Sequence, residues 1–139
     1  MKSSLHTDMT YTRSLLIDRE RTIEFMGDEL RVYATPFMVR DVELTCRELL
    51  LSHHDPGEET VGARVEIDHL GPTLAGQTVS ITARVAELAL PRIMFEVEVK
   101  DELDVVGRAR HVRFVIHKER QGQRLRKKAD RLRAAQKTG

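Results

Sequence analysis

The sequence predicts an α+β domain in which one long helix lies across a curled antiparallel sheet of about five strands. Two observations carry that prediction. Thr35-Pro36, followed by apolar residues at three- and four-residue intervals, marks a helix that stops at Asp55-Pro56-Gly57. After that turn come four segments in which apolar and polar residues alternate, as strands half-buried on one face require.

At 139 residues the chain is long enough for one well-buried core, and 40% apolar with 32% charged residues is an ordinary globular balance. Tryptophan is absent and aromatics are scarce, which argues against stacking platforms for nucleic acid. The single cysteine, Cys46, cannot close an internal disulfide. No apolar run reaches membrane-span length and the N-terminus lacks a signal-peptide core, so a cytoplasmic location is expected. The net charge of +1 hides a division. From Lys118 onward nine basic residues face two acidic ones, a local +7, whereas the remainder carries fourteen basic and twenty acidic residues, or −6.

Taken in order, residues 1–9 are expected to be flexible, and Tyr11–Ile17 to form a first strand. Residues 19–34 hold a Gly27-Asp28 turn and read either as a short helix or as a lid-like loop. In the long helix Val39, Val42, Cys46, Leu49 and Leu50 form the apolar stripe, with Arg40, Asp41, Arg47 and Glu48 placed opposite. Leu44 and Leu51 lie off that stripe and suit a contact that closes a dimer. Val61, Ala63, Val65 and Ile67 are expected to share one face of the next strand, and His69 is the next residue on it. Two further alternating segments centre on Val79–Val85 and Ile93–Val99, and a last strand runs from about Val105 to Ile116. One helix and a curled sheet in this order are the hot-dog arrangement, here spanning residues 10–117. The tail, residues 118–139, has a thin stripe of Leu125, Ala129 and Leu132 and is expected to be a solvated basic helix.

Three residues stand out chemically. Glu43 lies on the shoulder of the apolar stripe, either ion-paired with Arg47 four residues on or desolvated and suited to act as a base. His69 takes a core-facing position where Gly71-Pro72 breaks the ladder, as a structural residue or as a partner of Glu43. Thr35 reads as the N-cap, with its hydroxyl at the positive end of the helix near N–H groups able to hold an oxyanion. His53-His54 suits the C-terminal end of that helix. No His/Cys/carboxylate spacing suggests a metal site, and no glycine-rich phosphate loop or nucleophile elbow is present.

From Ala34 to Ile116 the chain resembles the hot-dog acyl-CoA thioesterases of the fluoroacetyl-CoA thioesterase branch. The resemblance is densest in ATPFMVRDVELTC, in PGEETVGARVEIDHLGPTLAGQTVSITARVAEL and in VGRARHVRFVIH. It implies a catalytic set of Thr35, Glu43 and His69 sharing one pocket, a substrate-contacting Gly62, and an Arg113 that orients Glu43 or touches substrate. It also implies a homodimer, with a tetramer open, and no cofactor beyond the coenzyme A of the substrate. The stretch IEFMGDELRVY is shorter than the family's lid and lacks a clear aromatic pair, so the expected substrate is a small or short-chain acyl-CoA in general. Three alternatives stand beside hydrolysis: acyl-CoA binding without turnover, a hydratase or dehydratase, and nucleic-acid binding by the tail, which the acidic body opposes.

Overall fold

The computed structural model describes residues 1–138. Strand β1 (Thr10–Leu16) is followed by a small hairpin of β2 (Thr22–Ile23) and β3 (Val32–Tyr33). Helix α1 (Thr35–Leu51) comes next, then β4 (Glu58–His69), β5 (Thr78–Ala89), β6 (Arg92–Lys100), β7 (Val105–His117) and helix α2 (Lys118–Thr138). The main sheet is antiparallel throughout, in the order β1-β5-β6-β7-β4. This is the expected helix on a five-stranded sheet, with β1 and β4 left as edges.

The core forms where α1 meets the inner faces of β5 and β6. Val79, Ile81, Ala83 and Val85 from β5 and Ile93, Phe95, Val97 and Val99 from β6 are buried against Met38, Val42, Cys46, Leu49 and Leu50. The helix is rotated slightly from its expected setting. Met38 leads the buried stripe rather than Val39, and Asp41, expected on the solvent side, is fully buried. Asp41 accepts hydrogen bonds from Tyr33 Oη (2.5 Å) and from Arg21 Nε (3.0 Å) and Nη2 (3.3 Å).

Strand β4 corrects a second expectation. Its pairing with β7 runs Gly62↔Arg113 and then Arg64↔Val112, so Ala63 is the extra residue of a bulge. A bulge reverses which residues face inward. Before it, Glu58 and Thr60 are buried; after it, Val65, Ile67 and His69 are half-buried. Val61 and Ala63 therefore face outward, contrary to the simple alternation, whereas His69 keeps its inward setting.

Residues 1–9 make contacts with the body of the domain. Leu5 is buried in the core, Lys2 N–H donates to His53 O, and Asp8 N–H donates to Val85 O. Residues 19–34 combine two single 3-10 turns, Arg19–Arg21 and Asp28–Leu30, with the β2–β3 hairpin, and expose Ile23, Phe25, Met26 and Leu30. The His53 ring bonds to Ser4 Oγ (2.7 Å) instead of capping α1. Leu125 and Leu132 of α2 are exposed. No helix among the described residues is long and apolar enough to cross a membrane.

Candidate active site

Helix α1 begins one residue earlier in function than expected. Ala34 is the N-cap and has no side chain to cap with, so Thr35 becomes the first helical residue and Pro36 the second. A threonine at the cap would spend its hydroxyl on the backbone. At the first helical position Thr35 Oγ1 is free for another partner, and it lies 2.7 Å from His69 Nδ1. His69 is delivered by the last residue of β4, and Tyr33 from β3 packs edge-on to its ring at 6.3 Å between centroids. Burial pushes His69 below its ordinary pKa, with the Gly71 backbone partly opposing. Burial thus favours the neutral ring, and in the tautomer that carries its proton on Nε2 the Nδ1 atom accepts the Thr35 O–H. That is the pairing of a hydroxyl with an adjacent base.

Glu43 lies eight residues further along α1, a rise of about 12 Å. Its carboxylate belongs to a second group, built over Gly62. A Cβ added to Gly62 would come within 2.8 Å of Glu43 Oε1, 3.2 Å of His111 Cε1 and 3.5 Å of Arg113 Nη1. A side chain at this position would have to push the Glu43 carboxylate aside. The ion pair weighed for Glu43 goes elsewhere: Arg47 Nε and Nη2 donate to Glu59 (3.2 and 2.9 Å), holding that carboxyl down at about 2. Glu43 forms no hydrogen bond or ion pair among the described residues, and its carboxylate stays half-exposed.

The base of this second group is fully specified. His111 Nδ1 is 2.8 Å from Arg64 O, and Nε2 is 3.1 Å from Arg113 Nη1. A carbonyl only accepts and a guanidinium only donates, so Nδ1 carries the proton and the ring is neutral. Burial is the main cause of its lowered pKa, and Arg113 lowers it further. Arg113, itself buried, donates from Nε to Thr60 Oγ1 and from Nη2 to Thr60 O, both at 2.9 Å. Its bonds within the chain thus go to β4 and His111, and its charge faces Glu43.

Within one chain, then, Thr35 and His69 meet, and Glu43, Gly62 and Arg113 meet, at separate places along the seam between α1 and β4. Among the described residues no hydrogen bond joins Glu43 to either member of the first pair. The pattern of residues 17–119 matches the family described as fluoroacetyl-CoA-specific thioesterase. This chain belongs to that family. A fluoroacetyl-CoA thioesterase of Streptantibioticus cattleyicolor is 27% identical over 135 residues, covering 92% of this chain and 97% of the relative. A Thermus thermophilus protein of the thioesterase superfamily superposes with a TM-score of 0.85 at 30% identity, over 93% of this chain and 96% of that one. A variant of the fluoroacetyl-CoA-specific thioesterase superposes with a TM-score of 0.82 at 26% identity, over 91% and 99%.

Family membership leaves out several residues of this site. Tyr33 and Asp41 were not singled out from the sequence, whereas His111 stands in the late-strand His-x-Arg, His111-Val112-Arg113, that accompanies the resemblance. A helical wheel centred on Met38 and Leu49 would have brought Asp41 and Thr45 to its buried border; one begun at Val39 does not.

The close approach at Gly62 makes a direct prediction. Gly62→Ala forces the flexible Glu43 carboxylate aside rather than the backbone. Hydrolysis is expected to fall by about tenfold or more, with stability changed by no more than about 1 kcal/mol. Paired kinetic and thermal-melting measurements check it, and parental turnover would show that Glu43 need not lie over Gly62.

Proposed function

We propose that this chain hydrolyses a small or short-chain acyl-CoA thioester to the free acid and coenzyme A. The contact between Thr35 Oγ1 and His69 Nδ1 at the start of α1 carries the reading. A thioester carbonyl is already electrophilic, so what the protein supplies is an activated oxygen and a place for the developing oxyanion. His69, neutral, takes the proton from Thr35 or from a water that Thr35 positions, and gives it to the departing thiolate; where Thr35 itself attacks, a water deprotonated by His69 then cleaves the Thr35 ester, releasing the acid and restoring the hydroxyl. In the first turn of α1, Pro36 has no N–H, and those of Phe37 and Met38 donate to Ala34 O. The Thr35 N–H is the donor left to face a substrate oxygen. Coenzyme A enters as part of the substrate, and no other cofactor is assigned. A cytoplasmic setting fits the single free thiol, Cys46, which is buried.

The working unit in this reading is a homodimer. Strand β4 is an uncovered edge with Val61 exposed, and Leu44 and Leu51 are exposed on α1. If β4 pairs antiparallel with its copy about a two-fold axis near Val65 and Glu66, Gly62 of one copy falls beside His69 of the other. Glu43 then joins a Thr35–His69 pair across the interface. The relatives' names specify fluoroacetyl-CoA; here the flap is a short hairpin with Phe25 turned to solvent, which supports a wider class of small acyl groups.

Release of free thiol from a panel of acyl-CoAs, acetyl-CoA and fluoroacetyl-CoA among them, tests the reaction. Glu43→Gln and His69→Ala should each be inactive alone. Mixed and allowed to exchange subunits, they should regain roughly a quarter of the parental rate, because half the dimers then hold one intact site. Tight binding without thiol release would make the protein an acyl-CoA-binding domain instead, and inactive mixtures would place each site within one chain.

A further inference from the structure

We infer that Asp41, acting through Tyr33, is a positioning residue for His69. The inference rests on the thioesterase reading above but concerns groups outside its proton path. Asp41 is fully buried and Tyr33 is 1% exposed, and the Tyr33 O–H donates to the Asp41 carboxylate at 2.5 Å. That bond fixes the plane of the phenol ring, whose edge meets the His69 ring at 6.3 Å and an interplanar angle of 69°. Thr35 holds the imidazole from the side of α1, and Tyr33 braces it from β3. Behind Asp41, Arg21 donates from Nε and Nη2 to both carboxylate oxygens and from Nη1 to Asp18, while Arg21 O accepts from Ala34 N–H. The chain entering α1 is therefore clamped to the second turn of the same helix, on both sides of Thr35.

Stability is a weak reason for this arrangement. A buried ion pair returns little over apolar residues of the same volume, since desolvation offsets the attraction. What an apolar pair cannot do is hold a phenol in one rotation. The groups facing His69 are Thr35 from α1, Tyr33 from β3 and the Gly71 backbone after β4, and Arg13 of β1 and Arg21 act on Tyr33 from behind.

The test is Tyr33→Phe in the full chain, which removes one oxygen and keeps the ring. Two readouts are taken: steady-state kinetics, and the titration of the His69 imidazole followed by NMR, which needs no turnover. A freed ring is expected to lower kcat about tenfold with KM within about twofold. It should also move the His69 midpoint up toward the ordinary value near 6.5, as water reaches the imidazole. Asp41→Leu combined with Arg21→Met, which removes the phenol's acceptor without stranding a charge, carries the same readouts should Tyr33→Phe fail to fold. A folded variant with the parental titration and kcat overturns the inference. A parent protein that hydrolyses no thioester removes the function reading alone, because the titration still decides whether Tyr33 sets the state of His69.

Discussion

Replacement of His69 by alanine is expected to lower kcat/KM for acyl-CoA hydrolysis by about a thousandfold. The size follows from the ring's two tasks. It receives a proton as the nucleophilic oxygen attacks, and it supplies one as the thiolate leaves, so both halves of the reaction lose their acid–base partner. Stability should change little, because His69 is half-buried at a strand end and its one side-chain bond is to an exposed threonine. The pH profile gives a second signature. Burial lowers the His69 pKa, so the neutral, proton-accepting form persists below the ordinary value near 6.5. The parental acid limb should accordingly lie below pH 6.5, and it should vanish in His69→Ala. Thr35→Ala distinguishes the two roles open to the hydroxyl. If Thr35 is the nucleophile, its loss costs as much as that of His69, and the double variant is no worse than either single one. If it only positions water, the loss is smaller and the acid limb survives. Residual rates within threefold of the parent in His69→Ala would remove the imidazole from the mechanism.

The parts of this protein that were legible in the chain are those written in local periodicity. Alternation through Val79–Val85 and Ile93–Val99 gave strands that bury those residues, and Thr35-Pro36 marked the start of α1. The same alternation failed at Ala63, because a bulge adds a residue without leaving a mark in the hydrophobic pattern. Thr35 and Glu43 drew attention by residue type, but local rules offered each a local partner: the helix N-terminus for one, Arg47 for the other. Tertiary structure overrode both. Ala34 took the cap and released the Thr35 hydroxyl to His69, and Glu59, fifty-odd positions from the N-terminus on β4, drew Arg47 away from Glu43. Arg21, Tyr33 and Asp41 were invisible for a related reason. Each is unremarkable in its own segment, and only the folded hairpin brings the three together.

That cluster also carries the largest expected effect on stability. Asp41→Ala leaves the Arg21 guanidinium without its bidentate carboxylate and the Tyr33 hydroxyl without an acceptor, in a place that water does not reach freely. Removing one member of such a buried set costs about 3–5 kcal/mol. For a domain of this size that is a fall in Tm of roughly 10–15 °C, measurable by calorimetry alongside urea denaturation. The physical cause is the stranded charge and hydroxyl rather than the lost volume, and this can be shown by removing them together. Arg21→Met, Tyr33→Phe and Asp41→Leu combined should recover most of the lost stability, because an apolar cluster of similar volume packs without a desolvation penalty. If positioning is what the polar set provides, the triple variant regains its melting temperature without regaining parental kcat. Recovery of both together would show that Asp41 serves the fold alone, and a melting temperature left low would show that the site demands polar groups for packing as well.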